Sequence, residues 1–273
     1  MTDTPGTTSR ILWHFTGGPA WNDRTERQDD QPKPCPKAYR ALCGILETSE
    51  LRLGSYHEVV KVAVQGLSHY RDEQGRERSR RKRFLMPLRS APVCCLADIP
   101  IKHLGYHAER YGKFAIGFHR NAVIKNGFNP VFYARHHSRV LRTIHEGFAQ
   151  IECLDLNYLR MITQDHAPYP GRLLIEAEAD TLERSVDSAR EGIRYFLAFV
   201  KTFAPDEFAT IYSEREWRAI KPYRFSHADV AMIVLPRVVK RRHYFDRFME
   251  TVLPTLNLPR SVPVVSWEDL VES

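Results

Sequence analysis

The pattern of apolar and polar positions divides the chain into three stretches. Residues 10–15 (R-I-L-W-H-F) are apolar and aromatic and stop at T-G-G-P, which predicts a strand closed by a turn. Residues 37–47 carry apolar side chains at helical spacing and predict a helix, whereas 57–68 fit strand and helix equally. Buried-strand character follows at 91–97, a helix at 102–111, a strand at 113–118 and a short strand at 131–133. The pattern is then helical over 138–163 and 180–203, with a Pro/Gly break at 166–171. Strand character returns over 208–220 and 230–235, before a helix near 240–252 and an apolar segment at 262–265. Strands, a helical block, then strands again predict an α+β chain rather than regular βαβ alternation. We expect a single domain over 1–273 with a helical insertion at about 136–203.

Charge adds one feature to this picture. The 273 residues carry a formal net charge of +7, and seven of the thirteen residues in 71–83 (R-D-E-Q-G-R-E-R-S-R-R-K-R) are basic. Such a run predicts a solvated, mobile loop, and Arg76, Arg78, Arg80, Arg81, Lys82 and Arg83 are its candidate contacts to a nucleic-acid backbone. No apolar run reaches the roughly 18 to 20 residues a membrane span needs, and the N-terminus has no signal-peptide pattern, so a cytoplasmic location is expected. Five cysteines, two of them adjacent at Cys94 and Cys95, match neither a disulfide framework nor a metal spacing. His136-His137 likewise lacks a ligand partner at metal spacing, and no metal is expected.

Candidate chemistry sits on two predicted strands. In Y-S-E-R-E-W-R (212–218), alternation would put Glu214 and Glu216 on one face with Tyr212, leaving Trp217 on the other. In the first strand it would put His14 and Thr16 on one face, with Trp13 and Phe15 behind them. A histidine in an apolar strand is commonly a satisfied core residue, and a Glu-x-Glu pair on an edge strand is commonly a solvated face. Asp98-Ile99-Pro100 fits a helix N-cap with proline near the first turn.

The order of these motifs carries a family resemblance. I-L-W-H-F-T resembles the first strand of ADP-ribosyltransferases, and S-E-R-E-W-R is similar to the closing Glu-x-Glu strand of that superfamily. Between them, V-C-C-L-A-D-I-P-I-K-H-L-G-Y-H-A-E-R-Y-G-K-F-A-I-G-F looks like the middle of the AbiGi family of abortive-infection proteins, and the tail F-S-H-A-D-V-A-M-I-V-L-P also fits. The likeness runs from about residue 10 to about residue 250, with a fainter one to DNA-directed transferases of the DarT type.

The resemblance implies two small sheets enclosing an NAD cleft. It implies mono-ADP-ribosyl transfer with NAD as substrate in phage defence, directed at a nucleic-acid or protein acceptor. Glu216 would then stabilise the oxocarbenium character that develops on the ribose, and Glu214 would orient or deprotonate the acceptor. His14 and Thr16 would hold the ribose, and Tyr106, Tyr111 or Phe118 would stack on nicotinamide. Arg10, Arg52 and Arg218 are candidates for the pyrophosphate. Two alternatives stay open. One is a non-enzymatic antitoxin or nucleic-acid-binding module on the same fold, with a cognate toxin or antitoxin partner. The other is NAD hydrolysis without an acceptor.

Overall fold

A computed structural model describes residues 9–271 apart from 23, 26, 30, 72, 136–137, 153–170, 206–213 and 257; at 27, 65–71, 77–82, 140 and 171–180 only the backbone is described. In chain order the elements used below are β1 (Ile11–Phe15), α1 (Cys35–Thr48), β2 (Val59–Arg71), β3 (Glu77–Arg89), β4 (Cys94–Ala97), α2 (Leu104–Tyr111), β5 (Ala115–His119), α3 (Arg120–Lys125) and β6 (Asn129–Pro130). These are followed by α4 (Arg139–Glu152), α5 (Gly171–Ala198), β7 (Glu216–Ala219), β8 (Val230–Leu235), β9 (Val264–Ser266) and α6 (Trp267–Val271). The chain falls into two compact units: residues 1–56, 92–133 and 203–273 form the first, and residues 57–91 and 134–202 the second.

The first unit is built on a seven-stranded sheet in the order β9-β8-β5-β1-β4-β7-β6. Its described pairs are antiparallel except β8 with β9, which run parallel. Alternation along β1 explains its central place. Leu12 joins Leu96, Ile116, Phe118 and Ile233 on one face, covered by Ala38, Leu42 and Leu46 of α1. Trp13 and Phe15 join Ala97, Ala115 and Val234 on the other, covered by Leu104 and Ala108 of α2 and by Trp267. A strand hydrophobic on both faces is stable only with a layer on each side, and β1 has both. The tight chain after β1 needs its glycine: a Cβ on Gly17 would lie 2.6 Å from the carbonyl oxygen of Tyr111 at the end of α2.

The second unit pairs a long hairpin with helices. β2 and β3 form thirteen register pairs, from Val59↔Arg89 to Arg71↔Glu77. Near its base, Val60, Val62, Val64, Met86 and Leu88 pack against Phe148, Ala149, Ile193 and Leu197 of α4 and α5.

Several expectations meet a different structure. The α+β class is right, but the strands carrying His14 and Glu216 are in one sheet, with β4 alone between them, rather than in two small sheets around a cleft. The basic run expected as a loop is strand up to Arg71 and again from Glu77, because residues 59–64 and 84–88 supply an apolar base from which the pairing propagates. Residues 200–203 form a short strand where helix was expected. Asp98 makes no helix cap; the first turn at residue 101 has no side-chain cap bond. Of the expected break at 166–171, residues 166–170 lie outside the described residues, as do His136-His137 and Tyr212-Ser213, while Gly171 begins α5.

Candidate functional site

The two glutamates of Glu-x-Glu occupy different backbone. Glu214 sits in a turn and Arg215 takes a left-handed conformation (φ 41°), so the strand begins only at Glu216. Simple alternation over 212–218 therefore fails, although each carboxylate is buried. Glu214 Oε1 accepts a hydrogen bond from the Tyr111 hydroxyl at 2.9 Å and has Arg110 Nη1 at 3.7 Å. Tyr111 in turn stacks on His107, with ring centroids 4.3 Å apart.

Glu216 is held by the next residue on its own face. Arg218 Nε and Nη2 donate to its two carboxylate oxygens, each at 2.9 Å. The arginine is 0% exposed, with its guanidinium 5.3 Å from the centroid of the Tyr56 ring. A bidentate pair of this kind is strong because both partners are charged and the fork fits the carboxylate. The Glu216 backbone N–H donates to the Tyr133 hydroxyl at 2.8 Å. Beside them in β4, the Cys95 thiol is raised well above its ordinary pKa, first by burial and then by the negative charge of Glu216.

His14 is on the other face. Trp13 pairs with Ala97, and Ala97 pairs with Glu216, so those three side chains share the α2 side. His14 lies one residue along from Trp13, in register with Ile116 on the α1 side. Its Nδ1 lies 3.1 Å from the Cys95 carbonyl oxygen, which makes it the donor of that pair. Burial lowers its pKa below 6.5, with the Cys95 bond opposing and the Lys33 charge reinforcing the shift. Thr16 is 2% exposed and its hydroxyl donates to the Ala38 carbonyl of α1 at 2.8 Å.

The remaining candidates scatter. Tyr111 joins Glu214, Tyr106 is exposed on α2, and Phe118 is buried in the core. Arg10 and Arg52 are exposed, and Arg218 is spent on Glu216. Arg76 and Arg83 are exposed, while Arg78, Arg80, Arg81 and Lys82 stand at known register positions in β3. His14 and Thr16, expected to hold the ribose, and Glu216, expected to act on it, thus lie on opposite sides of one sheet rather than on the single surface that the resemblance implies. Among the described residues no cluster of three metal-binding side chains occurs. No described helix is long and apolar enough to cross a membrane.

Sequence reasoning missed an ionic hub. The Asp98 carboxylate, 3% exposed, meets Arg120 Nη2 at 2.6 Å and Arg215 Nη2 at 3.0 Å, and accepts the Ser9 N–H at 3.2 Å. Arg120 also lies 5.2 Å from the Trp217 ring centroid. These partners are far apart in sequence, so no local spacing announces them.

Comparison with known proteins gives a family. A family model described as "Putative abortive phage resistance protein AbiGi, antitoxin" matches residues 58–249. The "Abortive phage resistance protein AbiGi" of Lactococcus lactis subsp. cremoris is 42% identical over 52 residues, 17% of this chain and 21% of that protein. The chain therefore aligns with about a fifth of that relative's length. No solved structure matches. With well over half of its length under one family model, the chain belongs to the AbiGi family of abortive phage resistance proteins.

Proposed function

We propose that the protein serves abortive phage resistance as an antitoxin, acting by binding a cognate toxin rather than by turning over NAD. One observation carries this reading: Glu216, the carboxylate that NAD chemistry would use, is consumed in a bidentate pair with the fully buried Arg218. A catalytic carboxylate must interact more strongly with the transition state than with its resting surroundings. Breaking this pair on binding would strand a buried guanidinium, at a cost of about 3–5 kcal/mol. The antitoxin wording of the family description agrees with a binding role.

A second reading keeps ADP-ribosyl transfer to a nucleic-acid or protein acceptor. It is supported by the motif order and by Glu214, Glu216 and Tyr111 all lying toward α2.

One experiment separates the two. The protein encoded beside this chain is expressed alone and together with it, while NAD consumption by the purified chain is followed in parallel. Relief of growth arrest by wild type and by Glu214→Gln, with no NAD consumed, supports the antitoxin reading. Absence of relief together with NAD consumption lost in Glu216→Gln overturns it in favour of the transferase.

A further inference from the structure

The net charge of the chain is concentrated in one element. The hairpin β2–β3 (residues 59–89) contains nine Lys/Arg and three Asp/Glu, a net +6 out of the chain's +7. Its two halves differ in kind. At the base, Val60, Val62, Val64, Met86 and Leu88 form a cross-strand row that seats on α4 and α5, and the exposed Phe84 pairs with Val64 at its outer end. Counting outward by two along β3, that row continues through positions 82, 80 and 78, which pair with Gly66, Ser68 and Tyr70. The interleaved row runs through Arg83 and Arg81, opposite Gln65 and Leu67.

Where side chains are described at the two ends of this basic stretch, they face solvent. Glu73, Gln74, Gly75 and Arg76 of the tip are exposed, as are Arg83, Phe84 and Leu85, the last at 66%. Gly75 has φ +75°, a conformation that lets the tip turn tightly and that a side chain would strain.

We propose that this hairpin is a two-stranded basic ribbon that docks in the major groove of double-stranded DNA. The seven outer pairs, from Gln65↔Arg83 to Arg71↔Glu77, span about 20 Å at roughly 3.4 Å per residue. A two-stranded ribbon fits the B-DNA major groove, about 12 Å wide, whereas the major groove of duplex RNA is too narrow for side chains to read. Cations recurring on alternate positions of one strand meet phosphates that repeat along the groove wall, and release of condensed counterions drives such binding. Small partners at 66 and 68 leave the facing strand slim enough for close approach to the duplex. This surface belongs to the second unit alone, so its failure is separable from that of the antitoxin reading.

The test is fluorescence anisotropy with a labelled DNA duplex, the matching RNA duplex and an acidic polypeptide, titrated over a range of salt. The variants are Arg78→Gln/Arg80→Gln/Lys82→Gln and a charge-matched control, Lys102→Gln/Lys125→Gln/Arg260→Gln, whose residues are exposed in the first unit. Wild type is expected to bind duplex DNA more tightly than either alternative. The ribbon variant should lower the log–log salt slope by about 2.7, or about 0.9 for each of three lost phosphate contacts, while the control keeps the wild-type slope. Unchanged thermal melting of both variants establishes that they fold. No DNA binding at about 50 mM salt, equal affinity for duplex RNA, tighter binding to the acidic polypeptide, or equal losses in both variants overturns the proposal.

Discussion

Charge is handled in opposite ways by the sheet of the first unit and the hairpin of the second. In the sheet, Glu216 is matched by Arg218, Asp98 by Arg120 and Arg215, and Glu214 by Tyr111 and Arg110. The three carboxylates are buried, so each needs a partner merely to be tolerated. In the hairpin, like charges gather on neighbouring positions of one strand. Like charges side by side cost stability and are retained readily where something else uses them. On the readings proposed above, the motif most suggestive of chemistry serves the fold, and the segment most suggestive of a loop meets a partner.

The largest expected effect is at the pair in β7. Arg218→Ala leaves a buried carboxylate without its cation and should cost about 3–5 kcal/mol in urea unfolding. Replacing the pair together, Arg218→Met with Glu216→Leu, should recover most of that loss. If the single variant were as stable as wild type, the contrast between the two regions would collapse. Next, Tyr111→Phe removes the hydroxyl donor of Glu214 and should cost about 1–3 kcal/mol by the same measurement. Arg83→Gln in the hairpin should leave thermal melting unchanged while weakening DNA binding, since its side chain is exposed.

Two smaller effects concern the buried titratable groups. Burial lowers the pKa of His14, so the folded chain binds fewer protons than the unfolded one just below pH 6.5. Stability should be full above 6.5 and decline as pH falls from there through the lower folded value; His145, also lowered by burial, acts in the same direction. His14→Gln should flatten that decline, measured by urea unfolding across this window. Cys95 holds its proton well above the ordinary thiol range, so it should alkylate more slowly than Cys35, whose surface exposure is of the same intermediate class, as mass spectrometry of labelled peptides would read.

The legible parts of the fold were those where one face or one period decides. β1 follows from I-L-W-H-F and its turn, α1 from the spacing of Leu42 and Leu46, and β8 from V-A-M-I-V-L. Trp13 and Phe15 were read correctly as the apolar back of the first strand. The hairpin was not legible, because residues 71–83 have no apolar period and their strand state is imposed by the paired base at 59–64. The site was partly legible. Glu214, Glu216 and Tyr111 were named, but the turn at Glu214 and the positive φ of Arg215 break the alternation used to orient them. Strand parity also cannot say which faces of two different strands coincide. That depends on the Trp13↔Ala97↔Glu216 register, which sets His14 on the far side.

Nicotinamide release from NAD by purified wild-type protein and by Glu216→Gln tests the structural role of Glu216 most directly. Wild type should release no nicotinamide above a protein-free blank, with Glu216→Gln indistinguishable from it in this assay and less stable to urea. Release by wild type that disappears in Glu216→Gln, with the variant still folded, would contradict it.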